Sequence, residues 1–237
     1  MSITSGPAGA LNPCFVWDGT NIKSWNGSGT THYDLITRGA GTFSGAGSVT
    51  LSGGHVVFAP NPVASTNTAV IQFNPATLNL PTGSQGSWSW WYYYTSSQSI
   101  DAPNFGHETG SSWDGIGGFV MGTGWGNDGL RMGVGGTAVY VPGSGGPSYV
   151  YNTWQQITVT YIQNGAWLEY VNGALAFSTT APNNPIGSNT NNLVIGGTNS
   201  RGGNWRGSMD MIQMWNRALS AGEVLQNFNA TRGRYGI

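Results

Sequence analysis

Short apolar or alternating runs, separated by clusters of Gly, Asn, Ser and Pro, recur along almost the whole chain of 237 residues. Alternation with a period of two places successive side chains on opposite faces of a β-strand, and the Gly- and Asn-rich breaks favour turns. Many short strands at this spacing are typical of a sandwich or a jelly roll. We therefore predict one all-β domain with strands at 14–17, 48–51, 56–58, 69–73, 87–94, 118–122, 130–134, 138–141, 154–161, 166–171, 174–179, 193–196 and 207–215.

Two local signals are more specific than the strand pattern. Asn172-Gly173 separates two apolar runs, and this pair favours a type I′ hairpin turn, in which both central residues take positive φ. Ser220 and Glu223 have the spacing of a capping box, and apolar residues follow at helical spacing. The sequence predicts a tight hairpin at 166–179 and one short helix near 221–229.

The ends of the chain suggest a simple domain organisation. Residues 1–13 show no periodicity and contain Gly6, Pro7 and Gly9, which predicts an extended N-terminal arm. The rest, residues 14–237, contains neither a long linker nor a repeat. We predict a single domain over 14–237, preceded by that arm.

Composition excludes several classes of protein. With 8 basic and 9 acidic residues and a formal net charge of −1, the chain lacks the basic field that nucleic acids or anionic membranes require. No stretch approaches a membrane span, and the first residues lack the features of a secretory signal. The single Cys14 excludes an internal disulfide and fits folding in a reducing cytosol. We expect no nucleic-acid partner and no membrane insertion.

Several segments, in order along the chain, resemble one family. The segment YNTWQQITVTYIQNGAWLEYVNGALAFST is similar to the hairpin of laminin-G-like, concanavalin A-like jelly-roll domains, and LVIGG followed by WRGSMDMIQMWNRALSAGEV resembles their closing strand and helix. Upstream, SWNGSGTTHYDL is similar to a segment that often precedes the first strands. The resemblance spans about 20–230 and implies a jelly-roll sandwich of two antiparallel sheets with one short C-terminal helix. Lectins, glycosidases, adhesion modules and structural proteins all use this fold, so the fold alone does not fix a function.

The C-terminal segment LQNFNATRGRYGI narrows the resemblance. A jelly roll with this ending is similar to structural proteins of marine tailed phages, especially cyanobacterial ones. That resemblance implies a non-enzymatic virion protein, either a capsid or head decoration or a fibre component, assembled in the bacterial cytoplasm. Its partners would be other virion proteins and copies of itself, with a homo-oligomer expected and a trimer favoured. The open alternative is a carbohydrate-binding adhesin that recognises host surface glycans.

Acidic residues provide little sign of catalysis. Retaining glycosidases need two carboxylates about 5 Å apart, and glycosidases of this superfamily place them at alternate positions of one strand. In this sequence no two acids lie two or four positions apart. We therefore predict no catalytic residue and no enzyme activity, and we expect Glu169 to point to solvent beside Trp167.

One Gly-rich stretch holds Asp101, His107, Glu108, Asp114 and Asp128. Carboxylates and loop carbonyls can bind calcium, and relatives of the family often carry a structural calcium. No compact run of alternating acids occurs here, so we favour turn capping and solvation. Neither a metal site nor a cofactor is predicted, although the family resemblance is compatible with a structural calcium.

The aromatic segment GSWSWWYYYT supplies the candidate site. By likeness to the family's I-S-A-W strand, Trp91 and Tyr93 fall on the concave, non-core face. We predict that their rings are exposed there and that Trp113 and Trp125, in the neighbouring loop, wall the same surface. Such a surface is either a subunit interface, where Trp and Tyr are enriched, or a sugar-stacking groove. For a virion protein we favour the interface.

The C-terminal part carries the remaining signals. Asp210 occupies the family's G-x-I-D position, where we expect it to hold the closing strand through backbone hydrogen bonds rather than calcium. Five of the eight basic residues lie in the last 37 positions, and we expect them to form salt bridges, to solvate the surface or to contact an acidic neighbour; they are Arg201, Arg206, Arg217, Arg232 and Arg234. Residues 232–237 could pack back onto the sandwich or dock onto another subunit.

Overall fold

The computed structural model describes residues 11–59, 69–94, 103–107, 118–123, 130–135, 137–140, 150–188, 190–197 and 207–237. Its strands are β1 Phe15–Trp17, β2 Thr31–Tyr33, β3 Ala40–Ser44, β4 Ser48–Ser52, β5 His55–Ala59, β6 Val70–Phe73, β7 Gln85–Tyr93, β8 Pro103–His107, β9 Phe119–Thr123, β10 Leu130–Val134, β11 Thr137–Tyr140, β12 Trp154–Ile162, β13 Ala166–Val171, β14 Ala174–Thr180, β15 Leu193–Ile195 and β16 Gly207–Trp215. The helix α1 spans Ala221–Thr231, and short 3-10 turns span Pro75–Thr77 and Arg232–Tyr235.

These strands form two antiparallel sheets. Sheet A has the order β14-β13-β12-β7-β16-β5-β4, with β1 also paired to β16, and sheet B has the order β11-β10-β9-β8-β15-β6-β3-β2. The main core contains side chains from both sheets, among them Trp88 and Trp90 of β7 and Phe105 and Ile195 of sheet B. This architecture, with one short C-terminal helix, confirms the predicted all-β sandwich.

Local sequence signals located most of these elements. Each predicted strand has a counterpart, and Asn172 and Gly173 have φ of 50° and 79°, as a type I′ turn requires. Strands β2, β3 and β8 were not predicted. Each of the three is short, with the sequences THY, AGTFS and PNFGH, and each contains only one large aromatic ring of Phe or Tyr, so no alternation of large apolar residues arises.

A β-bulge changes the phase of β16. Asp210 pairs with Trp91 of β7, but Gln213 pairs with Ser89, so β16 has one residue more than its partner over this stretch. Met211, at the bulge, has φ of 37°. As a result Met211 packs with Trp91 on the side of sheet A that faces away from sheet B, which we call the outer face.

Helix α1 covers part of this outer face. The predicted capping box is present: Glu223 N donates to Ser220 Oγ at 3.3 Å, and Ser220 N donates to Glu223 Oε2 at 2.8 Å. Phe228 packs in a small cluster with Trp91, and Val224 packs in another with Trp215. The predicted helix is thus confirmed, and it packs on two small hydrophobic clusters outside the main core. None of the helices in the described part of the chain is long and apolar enough to cross a membrane.

Candidate ligand-binding site

Trp91 lies on the non-core face of β7, as predicted, but the expectation that its ring is exposed is wrong. Its exposed fraction is 0%. The ring stacks against those of Tyr235 and Phe228, at 4.0 Å and 5.8 Å between centroids, and its Nε1 donates to Thr231 Oγ1 at 3.1 Å. Alternation along a strand predicts on which face of the sheet a residue lies. It does not predict what covers that face, and here the covering segment lies about 140 positions further along the chain.

Tyr93 remains at the surface, partly exposed, within a group of rings that the sequence did not reveal. Its ring lies 5.7 Å from that of Trp154, and the Trp154 ring lies 4.5 Å from that of His55. All three residues are partly exposed. We call His55, Tyr93 and Trp154 the aromatic platform. It rests on the buried Tyr235, whose ring is 4.7 Å from Trp154 and 5.8 Å from His55.

A buried carboxylate orients the imidazole of the platform. His55 Nδ1 lies 2.7 Å from Asp210 Oδ2, and Asp210 Oδ1 accepts a hydrogen bond from Val56 N at 3.0 Å. Burial raises the pKa of Asp210, and the hydrogen bonds from His55 and Val56 offset part of that rise. The contact with Asp210 occupies Nδ1 and leaves Nε2 as the ring nitrogen available to another partner. The backbone hydrogen bond expected of Asp210 is confirmed.

The C-terminal segment is held on the sandwich by an ion pair. Arg234 forms a bidentate ion pair with the buried Asp18, at 2.9 Å and 3.0 Å, and also contacts Thr20 Oγ1. Of the two alternatives for residues 232–237, the structure therefore has this segment packed back onto the sandwich. Arg217 pairs with Glu223 at 2.6 Å, so salt bridging is confirmed for Arg217 and Arg234. Arg201 and Arg206 lie outside the described residues.

Glu169 does not point to solvent, contrary to expectation. Its exposed fraction is 0%, and its Oε1 accepts a hydrogen bond from Trp167 Nε1 at 2.9 Å. Burial raises the pKa of this carboxyl from 4.5 to about 8, which the hydrogen bond from Trp167 offsets only in part. The two residues are two positions apart on β13, so they share a face, and the burial of Trp167 implied that of Glu169.

Most of the predicted loop residues lie outside the described part of the chain. This applies to Trp113 and Trp125 of the candidate site and to Asp101, Glu108, Asp114 and Asp128 of the Gly-rich stretch. His107 is described; it is buried at the end of β8, with its Nδ1 3.1 Å from Asn191 O. Among the residues that the structure describes, no group of three or more metal-ligating side chains comes together.

The described carboxylates share one property: each is hydrogen-bonded within the fold. Their partners are Arg234 for Asp18, Val16 N and Thr37 for Asp34, Trp167 for Glu169, His55 and Val56 N for Asp210, and Arg217 for Glu223. Three of the five carboxyl-bearing residues, Asp34, Glu169 and Asp210, have an exposed fraction of 0%. These groups hold strands, turns and the helix in place.

Comparison with known proteins shows that the chain belongs to a known family. The model of the concanavalin A-like lectin/glucanases superfamily matches residues 65–225. No curated protein sequence matches this chain. Among solved structures, domain 4 of AbnA, an extracellular arabinanase from Geobacillus stearothermophilus in complex with arabinotriose, is similar with a TM-score of 0.61 and 16% identity, over 91% of this chain and 97% of that domain.

Two further structures share the fold with longer proteins. The binding domain of Paraclostridial Mosquitocidal Protein 1 has a TM-score of 0.64 and 17% identity, over 92% of this chain and 52% of that one. Trypanosoma rangeli sialidase, in complex with the inhibitor DANA, has a TM-score of 0.59 and 13% identity, over 90% of this chain and 32% of that one. The chain thus spans about half of the first protein and about a third of the second. At such identities the likeness establishes the fold.

Proposed function

Because the chain belongs to the concanavalin A-like lectin/glucanases superfamily, we propose that it is a non-enzymatic carbohydrate-binding domain. The superfamily contains both lectins and hydrolases, so the choice between them rests on the site. A hydrolase needs two carboxyl groups that face a substrate from a cleft, one to protonate the leaving group and one to attack or to activate water.

The proposal rests on one observation: each of the described carboxyl groups is hydrogen-bonded within the fold. Glu169 and Asp210 are buried, and Asp18, Asp34 and Glu223 form ion pairs or cap turns and the helix. The fully buried carboxyl groups cannot reach a glycosidic bond without local unfolding, and those of Asp18 and Glu223 would first have to leave their arginine partners. Partly exposed aromatic rings remain at the surface, and these rings suit the apolar faces of sugars.

The likeness to domain 4 of AbnA supports the same proposal. That domain, which is described in complex with arabinotriose, is matched over 97% of its length by 91% of this chain. A domain of this size and fold can therefore accept a short oligosaccharide without further parts. We extend sugar binding to this chain as a class of ligand and name no particular sugar.

A glycan array that displays neutral and acidic oligosaccharides tests the proposal. We expect the purified full chain to bind at least one glycan and to release no product from it after prolonged incubation. Chromatography of the same glycans after incubation measures turnover. Cleavage of any of them would contradict the non-enzymatic assignment, and a complete lack of binding would contradict the carbohydrate assignment.

A second candidate is a structural role in a tailed-phage virion, as a capsid or head decoration or a fibre component. It is favoured by the C-terminal segment LQNFNATRGRYGI and by a surface supplied with only 17 charged side chains, which suits a protein packed among partners. We expect a homo-oligomer, with a trimer favoured, and no bound metal or cofactor. Sedimentation of the purified chain tests the oligomer, and a monodisperse monomer would count against this candidate.

A further inference from the structure

We propose that the aromatic platform of His55, Tyr93 and Trp154, on the outer face of sheet A, is the binding site for a neutral sugar ring. The inference rests on the proposed function and adds to it a place and a charge class for the ligand. It keeps Tyr93 of the expected site and leaves out Trp91, whose ring is covered.

The arrangement of the rings is the first observation. His55 lies on β5 and Trp154 on β12, and β16 and β7 lie between them. Since neighbouring strands are about 4.8 Å apart, the two strands are separated by roughly 14 Å. The rings nevertheless approach to 4.5 Å between centroids. Both side chains must therefore lie along the sheet surface, over β7 and β16. The ring planes are tilted by 44° between His55 and Trp154 and by 51° between Tyr93 and Trp154, and a partly exposed ring in such a group offers a face on which the C–H face of a sugar can stack.

The residues beside the aromatic platform have small or short side chains. Ser208 of β16 is the register neighbour of both Tyr93 of β7 and Val57 of β5. Ser208 and Val57 are partly exposed and lie on the same outer face, because Met209, Val56 and Phe58 belong to the main core. The platform thus continues into a shallow surface with a hydroxyl group beside the rings. A sugar on this surface would meet both an aromatic face and polar partners.

The imidazole supplies a directed hydrogen bond. With Nδ1 held by Asp210 at 2.7 Å, the ring orientation is fixed, and no hydrogen bond within the described part of the chain involves Nε2. The His55 side chain is 26% exposed, whereas that of Asp210 is 0% exposed. Nε2 accepts a hydrogen bond from a hydroxyl group when it carries no proton and donates one to a hydroxyl oxygen when it does, so in either form it gives the platform an orientation-dependent contact.

Local charges favour an uncharged ligand. Asp210 is buried beneath the platform, and the nearby Asp18 is neutralised by Arg234 in a bidentate ion pair. Tyr93, Trp154, Ser208 and Val57 bring no formal charge to this surface, and the imidazole of His55 is paired with the Asp210 carboxyl group. An acidic sugar would find no free cation among these residues.

The platform is built in advance of any ligand. The ring of the buried Tyr235 stacks on that of Trp91 and contacts those of His55 and Trp154, which connects the platform to the cluster that contains Met211 and Phe228. Gly207, beside Ser208, has φ of 132°, and a Cβ at this position would lie 2.4 Å from Tyr93 O. The close approach of β16 to β7 therefore requires glycine here. Rigid support of this kind lowers the entropy that binding costs.

Titration calorimetry with variants of the full chain tests the site. The probes are arabinotriose, maltotriose and laminaritriose, together with any neutral glycan that the array identifies. We expect Trp154→Ala to weaken binding at least tenfold, and His55→Asn, which can keep the contact to Asp210 but removes Nε2, to weaken it several-fold. Tyr33→Ala, which removes an exposed ring on β2 of sheet B, is the matched control and should change affinity less than twofold.

The possible outcomes distinguish a wrong binding site from a wrong function. Melting curves establish that each variant is folded, and Trp154→Phe, which keeps a smaller ring, replaces Trp154→Ala if the latter fails to fold. If the unmodified chain binds a neutral sugar and all platform variants bind it equally well, the site is wrong and the function stands. If only acidic sugars bind, or if Tyr33→Ala abolishes binding, the platform assignment is also wrong. If no sugar binds, both proposals fail.

Discussion

The ring of Tyr235 stacks on the ring of Trp91, with 4.0 Å between the centroids and 17° between the planes. Two parts of the chain about 140 positions apart thereby form one cluster, which also contains Met211 and Phe228. The C-terminal segment is consequently part of the fold, since it covers an aromatic face of sheet A and supports the aromatic platform above it.

Removal of the Tyr235 ring should destabilise the domain. We expect Tyr235→Ala to lower the free energy of unfolding by about 3 kcal/mol, as is typical of large-to-small changes at buried aromatic positions. Tyr235→Phe keeps the stacking, and the Tyr235 hydroxyl is buried without a hydrogen bond within the described residues, so this variant should be as stable as the unmodified chain or more so. Ile237→Ala, at an exposed residue, is the control and should have little effect. Urea denaturation measures all three, and a loss with Tyr235→Phe equal to that with Tyr235→Ala would contradict the stacking argument.

The buried Glu169 should make stability depend on pH. Its pKa is raised from 4.5 to about 8 in the folded state, so the folded protein binds more protons than the unfolded chain between these values. Its contribution is therefore fully present below about pH 4.5 and is lost as the pH rises towards 8, with a slope of at most about 1.4 kcal/mol per pH unit. Glu169→Gln should remove this slope.

Denaturation of the two proteins at several pH values between 5 and 8 checks the prediction. Relative to the unmodified chain, Glu169→Gln should gain stability as the pH rises, because the amide never has to lose a proton. Trp167 Nε1 can donate to the amide oxygen as it does to the carboxyl group, so the fold should be retained. Parallel pH profiles for the two proteins would show that Glu169 is not buried as described.

The two arginine ion pairs should differ in strength. In the Arg234–Asp18 pair the carboxylate side chain is only 4% exposed, whereas Arg217 and Glu223 are 43% and 28% exposed. Arg234→Ala leaves a buried carboxylate without its cation and should cost about 2 kcal/mol. Arg217→Ala should cost less than about 1 kcal/mol, as exposed pairs usually do. Unfolding free energies at low and high salt measure the contrast, and equal costs would contradict it.

Two glycines in the C-terminal half should respond in opposite directions to the same change. Gly173 has φ of 79°, and a Cβ there would lie 3.1 Å from the Leu225 and Phe228 side chains, so Gly173→Ala should destabilise the fold by about 1–2 kcal/mol. Gly222 lies in α1 with open space around it, and Gly222→Ala should stabilise the fold by up to about 1 kcal/mol. Thermal melting distinguishes the two, and a stabilising Gly173→Ala would contradict the described turn.

Features determined by neighbouring residues could be predicted from the sequence. The turn at Asn172, the capping box at Ser220 and the strand β16 depend on the identity and spacing of a few adjacent positions. The two-sheet sandwich was predicted from these local features together with the family resemblance. Strand β8, with the sequence PNFGH, has too few large apolar residues to produce an alternating pattern.

The candidate site was harder to predict because it depends on contacts between distant segments. The prediction that Trp91 lies on the non-core face of β7 was correct. Its ring is covered by Met211, Phe228 and Tyr235, and no local sequence pattern indicates that these residues contact β7. Trp154 and His55 were missed for the same reason, since they meet only when β5 and β12 take their places in sheet A. For β13 the signal was available, because period-two alternation relates Glu169 to its buried neighbour on the same face.

The binding of neutral oligosaccharides to the intact chain, measured by calorimetry together with an assay for their cleavage, is the most direct test of the central claim. The account predicts saturable binding of at least one neutral sugar and no cleavage, because the described carboxylates are held within the fold while the platform rings remain at the surface. Hydrolysis of any bound sugar, or a failure of the folded chain to bind any sugar, would contradict it.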